Sequence, residues 1–411
     1  LVLFCFLTIV EAAQMSQSIR ASGIIEYSTG MLVLKRFTGT GYFVDMSAET
    51  IARLFDMCPA WPKDKEKIRQ VKQIRPEFKA LLYRNIRAIY ITREDEWQTA
   101  VKNNWLLKDE NGEYIYVLTW PNNYVIDIGN SEYQVWVANW IKEQVDQYGY
   151  DGVYADCSFS ARASEHFFDL SATPINPRTG VNWTDAEVRQ ALTQLHREIR
   201  NTIGSKLIMC NGIFEGRRFE RNFGEYMEVL LNSPIDGINS EGLWYQYGGI
   251  WPSEERWLQC LDMLVWFQDN FLKEYPHRVF ISMCKMERMD GVPHQLPPGC
   301  TKEQMATYAF VSTLLGVKTN QNYLCLQADV DFTTQVVQPL YHIVVGNPVN
   351  DYYMIEGTHV YARDFSEVRV LVNPASSAYR VNLQEAFKTL DGELVTEITI
   401  EPHTGIILIK V

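Results

Sequence analysis

The chain has 411 residues, 46% of them hydrophobic, and a net charge of -12 at neutral pH. That is enough apolar material for one large domain and a smaller one, with no low-complexity tract to suggest disorder. The acidic balance argues against nucleic acid and anionic membrane as partners, because both select basic patches, and suits a neutral or cationic small substrate.

Leu1 to Val10 is an apolar run too short to span a bilayer, and Glu11-Ala12-Ala13 after it forms a small-residue cleavage site. Residues 1–13 therefore read as a truncated signal peptide, which makes the mature protein secreted or extracellular, with no membrane span. An N-terminal core strand or an uncleaved anchor is the alternative. Beyond Cys5, the cysteines Cys58, Cys157, Cys210, Cys260, Cys284, Cys300 and Cys325 are widely spaced and odd in number, which is no disulfide framework. The sequon Asn182-Trp-Thr184 is compatible with export.

From about Lys35 short apolar runs alternate with helical segments. Expected strands lie near Lys35 to Gly41, at Leu54 to Cys58, Lys79 to Tyr83, Gly152 to Asp156, Lys206 to Cys210, Gly237 to Glu241, Arg278 to Met283 and Val317 to Tyr323. Helical punctuation separates them. Asp64 to Ile74 stops before Pro76, and Tyr133 to Tyr148 places Val137, Ile141 and Val145 on one face. Thr184-Asp-Ala-Glu187 and Thr301-Lys-Glu-Gln304 are capping boxes, Gly204 and Gly316 close their helices, and Glu254 to Tyr275 is apolar along one side.

Strands joined by such helices imply right-handed crossovers and a parallel sheet, and eight of them suggest an α/β fold closed into a (β/α)8 barrel over residues 35–347. An open doubly wound sheet is the other arrangement, but no Gly-rich phosphate loop follows any strand. Residues 348–411 change to short alternating strands: His359 to Phe365, Glu367 to Val372, Tyr379 to Leu383, Leu394 to Ile400 and Gly405 to Val411, with a tight turn at Asp391-Gly392. This is a small antiparallel, β-sandwich-like domain. Packing against the barrel is its expected task, and carbohydrate binding by its surface is the second possibility.

Two stretches share one design, Asp151-Gly-Val-Tyr-Ala-Asp156 and Asp236-Gly-Ile-Asn-Ser-Glu241. In each, an Asp-Gly turn opens a strand and a carboxylate ends it, so Asp156 and Glu241 have equal parity and fall at the strand ends where barrel sites are built. Asp151 and Asp236 fall at the opposite face, where turn chemistry explains them. Paired carboxylates cleave a glycosidic bond when one protonates the departing oxygen and the other attacks the anomeric carbon or activates water; spacing decides between retention and inversion, and sequence leaves it open. Asp56, Asp127, Glu215 and Glu287 are competing acids that could replace either member.

Tyr83, Asn85, Asn211, Lys318 and Asn320 are polar groups at the expected rim, suited to sugar hydroxyls or to loop hydrogen bonds. Trp120, Trp244, Tyr245, Tyr247 and Trp251 fall in rim loops, as platforms for sugar rings or as packing residues. The set taken as substrate-binding is Tyr83, Asn85, Asp127, Asn211, Trp244 and Lys318. The seven histidines include no His-x-His and no His-Glu-x-x-His, and there is no Gly-x-Ser-x-Gly elbow, so metal-free carboxylate chemistry with no cofactor is expected.

The order of Leu54-Phe-Asp56, Leu81-Leu-Tyr83-Arg-Asn85, Trp105 to Gly112, Val125-Ile-Asp127-Ile-Gly-Asn130, the Asp151-to-Asp156 strand and Val370-Leu-Val-Asn-Pro374 resembles a family of glycoside hydrolases distantly related to α-galactosidases and α-1,4-polygalactosaminidases. The resemblance runs from about Thr38 to Val411. It implies a (β/α)8 barrel with a trailing β domain, a carbohydrate substrate, Asp156 as nucleophile and Glu241 as acid/base; related α-galactosidases carry Asp at the latter position. The resulting expectation is an exported, metal-independent hydrolase of an oligosaccharide or polysaccharide, with α linkage. A barrel that binds carbohydrate without cleaving it is the competing reading, since a fold does not assure activity.

Overall fold

Eight strands buried on both faces form the centre of the molecule. The computed structural model describes residues 32, 34–39, 46–158, 170–213, 215–244, 250–285, 296–327 and 330–411, so the leader, Tyr245, Tyr247 and Glu287 lie outside the described residues. The strands are β1 (Lys35–Arg36), β2 (Met57–Ala60), β3 (Lys79–Asn85), β4 (Gly152–Asp156), β5 (Leu207–Ile213), β6 (Gly237–Glu241), β7 (Val279–Lys285) and β8 (Asn322–Gln327). Each pairs in parallel with the next from β2 to β8, and β8 pairs with β1. A parallel bridge from Phe37 to Met57 closes the ring between β1 and β2. This is a (β/α)8 barrel.

Side-chain alternation divides the strands between two cores. Phe37, Met57, Leu81, Tyr154, Met209, Ile281 and Tyr323 fill the barrel interior. Their neighbours Ala80, Val153, Ile208, Ile238, Phe280 and Leu324 face the helices.

The surrounding helices are α1 (Ala48–Leu54), α2 (Lys65–Ile74), α3 (Ser131–Tyr148), α4 (Asp185–Ile203), α5 (Phe223–Asn232), α6 (Glu254–Phe267) and α7 (Lys302–Gly316). Local chemistry sets their ends. The Asn130 side chain accepts from the N–H groups of Glu132 and Tyr133 to open α3, and Gly149 at φ 73° closes it. The Thr184–Glu187 capping box is fully made. At α7 only half of the expected box forms, because Gln304 donates instead to Pro402 O and His403 O of the C-terminal sheet. The run from Glu254 ends as α6 at Phe267 and continues as a π turn, Gln268–Leu272. Among the described residues no helix is long and apolar enough to cross a membrane.

Two barrel strands start three or more residues later than the sequence reading placed them. Leu54 ends helix α1, and β2 starts only at Met57. After α7 the segment from Val317 to Gln321 is a turn, and β8 starts at Asn322. Between β3 and α3 the chain also makes an excursion, a three-stranded antiparallel sheet of Ala88–Tyr90, Trp120–Val125 and Tyr116–Val117.

The C-terminal strands are β9 (Tyr353–Met354), β10 (Tyr361–Asp364), β11 (Val368–Asn373), β12 (Tyr379–Lys388), β13 (Leu394–Ile400) and β14 (Thr404–Lys410). They form one antiparallel sheet in the order β9-β10-β11-β14-β12-β13, rather than two facing sheets. Val368, Val370, Val372 and Ile407 pack into the barrel's outer core, and Gly405 lies so close to α7 that a Cβ would meet Thr307 O at 3.0 Å. The buried Arg363 guanidinium donates to the carbonyls of Leu314, Leu315 and Val317 at 3.1, 3.0 and 2.6 Å, which ties the sheet to the otherwise unsatisfied end of α7.

Candidate active site

Adjacent strands β3, β4, β5 and β6 bring Tyr83, Asp156, Asn211 and Glu241 to one place at their C-terminal ends. Ala155 is in register with Cys210 and Asn211 with Asn239, which levels the last inward residues of the three central strands. Beyond Asn211 the register shifts around Gly212, whose φ of 143° suits glycine, and the ladder is interrupted beside the carboxylates.

Asn211 Nδ2 donates to Asp156 Oδ1 at 2.9 Å and to Glu241 Oε2 at 3.0 Å. Those two oxygens are therefore no farther apart than the 5.9 Å they would span with the nitrogen in line between them. With the two N–H bonds of a planar amide diverging at about 120°, the separation is about 5 Å. Tyr83 Oη donates to the other Asp156 oxygen. Burial and the Glu241 charge raise the Asp156 pKa, and the hydrogen bonds from Tyr83, Asn211 and the Cys157 N–H pull the other way. Burial first, then the Asp156 charge, pushes the Tyr83 phenol well up, so it stays a donor. Cys157, directly after Asp156, sits in the left-handed region at φ 59°, a conformation costing about 1–2 kcal/mol for a non-glycine residue.

One layer below, Asn239 Nδ2 donates to Asn211 Oδ1 and to Tyr154 Oη, both at 2.9 Å. To one side the Trp61 ring packs on Tyr83 at 4.2 Å, and the Arg93 guanidinium lies over Trp61 and Tyr90 at 5.1 and 5.6 Å. Tyr83, and through it Trp61, borders Asp156.

Asn85 Oδ1 accepts from the N–H groups of Arg87 and Ala88 at 3.0 Å each and so caps the turn after β3. Asp127 is buried and held by both terminal nitrogens of Arg178, at 2.7 and 2.9 Å. Trp244 is fully buried, with its indole N–H on Thr313 Oγ1 at 2.7 Å and its ring against Trp257, so it presents no face to a sugar. Lys318 is at the opposite end of the barrel, because β8 starts four residues later; its ammonium pairs with Asp269 at 2.9 Å and Asp351 at 3.4 Å. Trp251 stacks on His403 of the C-terminal sheet. Of the competing acids, Glu215 caps the short helix Gly216–Arg221, and Asp56 precedes β2 at the far end, in the grip of Arg36 and Arg75.

Asn239, Tyr154, Trp61, Tyr90 and Arg93 escaped the sequence reading. The first two carried a signal, since each lies two residues before an acid on the same strand and so on the same face. Trp61 follows β2 directly, and a misplaced end of that strand hid it.

Residues 72–368 match the model of a family described as hypothetical glycosyl hydrolase family 15. Among solved structures the chain is similar to an Anoxybacillus α-amylase, with 10% identity over 92% of this chain and 96% of that one and a TM-score of 0.51. It is likewise similar to the Geobacillus thermoleovorans α-amylase complexed with acarbose, at 10% identity over 91% and 98% and a TM-score of 0.51. A Nostoc punctiforme debranching enzyme soaked with acarbose aligns at 10% identity over 92% and 100%, with a TM-score of 0.50. At these identities the likeness is one of fold. No curated protein matches the sequence.

Proposed function

The chain belongs to hypothetical glycosyl hydrolase family 15, and from that premise we propose that it cleaves the α-glycosidic bonds of an oligosaccharide or polysaccharide with retention of configuration. Asp156 is the nucleophile and Glu241 the acid/base. The observation that carries this reading is the single amide nitrogen of Asn211 shared by the two carboxylates, which holds them at about the 5–5.5 Å spacing typical of retaining enzymes. The α linkage rests on the family resemblance and on analogy with the α-amylases that share the fold.

In the first step an Asp156 oxygen attacks the anomeric carbon, the bond to the departing oxygen breaks, and Glu241 gives that oxygen its proton. A glycosyl ester on Asp156 results. In the second step Glu241, now ionised, takes a proton from water while the water oxygen attacks the anomeric carbon and releases the Asp156 carboxylate. Burial and the Glu241 charge raise the Asp156 pKa, and three converging donors offset part of that rise, which suits the attacking member. Trp61, packed on Tyr83, adds apolar surface for a sugar ring near it. The chemistry needs no metal, so a chelator leaves turnover unchanged. The same proposal includes export through the Leu1 to Ala13 leader, which sequencing of the mature N-terminus tests.

The test is proton NMR of the first-formed product on a panel of aryl α-glycosides and α-glucans, with Asp156→Asn beside the parent. Retention gives the α anomer first, and the variant loses turnover while still binding glycan. A β anomer formed first overturns the retaining assignment. Binding without turnover in the parent favours the non-catalytic barrel.

A further inference from the structure

An amide side chain has two ends of nearly equal shape and opposite hydrogen-bonding character. Asn211 faces two carboxylates with one of those ends, and which end it is governs the chemistry of the pair. With the NH2 upward, each of its hydrogens meets one acid. With the oxygen upward, it would oppose two negative groups, and one acid would have to hold a proton simply to satisfy it. The other end of the amide also fixes the orientation. Asn211 Oδ1 accepts from Asn239 Nδ2 at 2.9 Å, and that same nitrogen spends its second hydrogen on Tyr154 Oη, also at 2.9 Å. With Asn239 oriented as it is, a reversed Asn211 would bring its NH2 against the NH2 of Asn239, donor to donor in a place without solvent, since Asn239 is fully buried.

The placement is built into the strands. Asn239 stands two residues before Glu241 on β6, and Tyr154 two residues before Asp156 on β4, so each carboxylate has beneath it, on the same face, one member of the layer that orients the bridge.

Resting on the assignment of Asp156 and Glu241 above, we infer that Asn239 is a positioning residue. It locks the Asn211 amide with both N–H bonds toward the carboxylates, and Tyr154 in turn holds Asn239. The lock keeps one donor toward each carboxylate and so favours the ionised form of both.

The experiment titrates the full-length protein by carbon-13 NMR of labelled aspartate carboxyls, with the Asp156 signal assigned by its loss in Asp156→Asn. The parent is compared with Asn211→Ala, Asn239→Ala and Tyr154→Phe, and far-ultraviolet circular dichroism checks each fold. Losing a donor to a charged carboxylate raises its pKa, by roughly one unit for Asn211→Ala. Asn239→Ala should produce at least about half of that rise, and the acid limb of kcat/KM should move by the same amount. Tyr154→Phe keeps the ring packing and removes only the hydroxyl, so a smaller rise in the same direction is expected even if Asn239→Ala folds poorly. A rise in Asn211→Ala with none in Asn239→Ala or Tyr154→Phe overturns the lock, as does no rise in any variant. The titration needs no substrate: if the shifts appear while no glycan is cleaved, the lock stands and the hydrolase assignment fails.

Discussion

The two ends of the barrel use the same residue types to opposite effect. At the N-terminal end each carboxylate has cations. Asp56 accepts from Arg36 Nε at 3.1 Å and from Arg75 at 2.5 Å; Asp151 meets Lys72 at 2.7 Å and the Ala80 N–H at 2.8 Å; Asp236 meets Arg200 and the Ile208 N–H at 2.8 Å. At the C-terminal end Asp156 and Glu241 face each other across a neutral amide, and the Tyr83 phenol donates to Asp156. The contrast appears in the proton affinities. Arg36 and Arg75 outweigh burial and hold Asp56 down at about 2, whereas burial and Glu241 raise Asp156. Charges that stabilise the fold are collected at one rim, and at the other the Glu241 charge works against ionisation of Asp156, where chemistry can use it.

The largest effect that would test this division is on turnover. Asp156→Asn and Glu241→Gln should each lower kcat/KM by roughly 10³-fold or more, about 4 kcal/mol of barrier, measured on whichever glycoside the parent cleaves. Asp56→Asn should leave the carboxylate pair intact but destabilise the protein by about 3–5 kcal/mol in denaturant unfolding, because two buried guanidinium groups lose their counter-charge. Comparable activity losses from both ends would break the comparison.

The pH dependence sharpens it. Asp56 has a folded pKa depressed to about 2, so its contribution is present above the ordinary aspartate value near 4 and disappears as pH falls through 2. That is about 2 kcal/mol of acid lability, which unfolding curves between pH 5 and 2 should show in the parent and not in Asp56→Asn.

Much of this division was legible in the chain. The Asp-Gly-x-x-x-acid repeat puts one carboxylate at each end of β4 and β6 because a parallel strand of five residues spans the sheet and parity carries the terminal acid inward. What sequence could not supply was the strand ends. The stretch from Val317 to Gln321 reads as strand, but Arg363, 46 residues beyond Val317 in sequence, captures the last carbonyls of α7 and leaves the segment as a turn, which carries Lys318 to the far rim. Trp244 has rim-loop neighbours in sequence, yet the Thr313 hydroxyl draws its indole into the core. Both outcomes depend on partners that only the closed barrel brings near. Asn239 lies within reach of the parity rule, since it shares a face of β6 with the acid two residues later.

The smallest expected effect is the most discriminating. A group whose folded pKa is raised makes the charged folded state costly above that pKa, so the penalty is absent below the unfolded value and grows as pH rises through the folded one. Asp156→Asn removes the charge at nearly constant volume and keeps one oxygen to accept from Tyr83 or Asn211. The inactive variant should therefore be more stable than the parent at pH 7, by about 1 kcal/mol, and no more stable at pH 3, where both are neutral at that position. Asp56→Asn should move in the opposite direction at pH 7. A gain for Asp156→Asn that persists unchanged at pH 3 would mean that packing, not relief of charge, is responsible, and the repulsion assigned to the upper rim would have no energetic content.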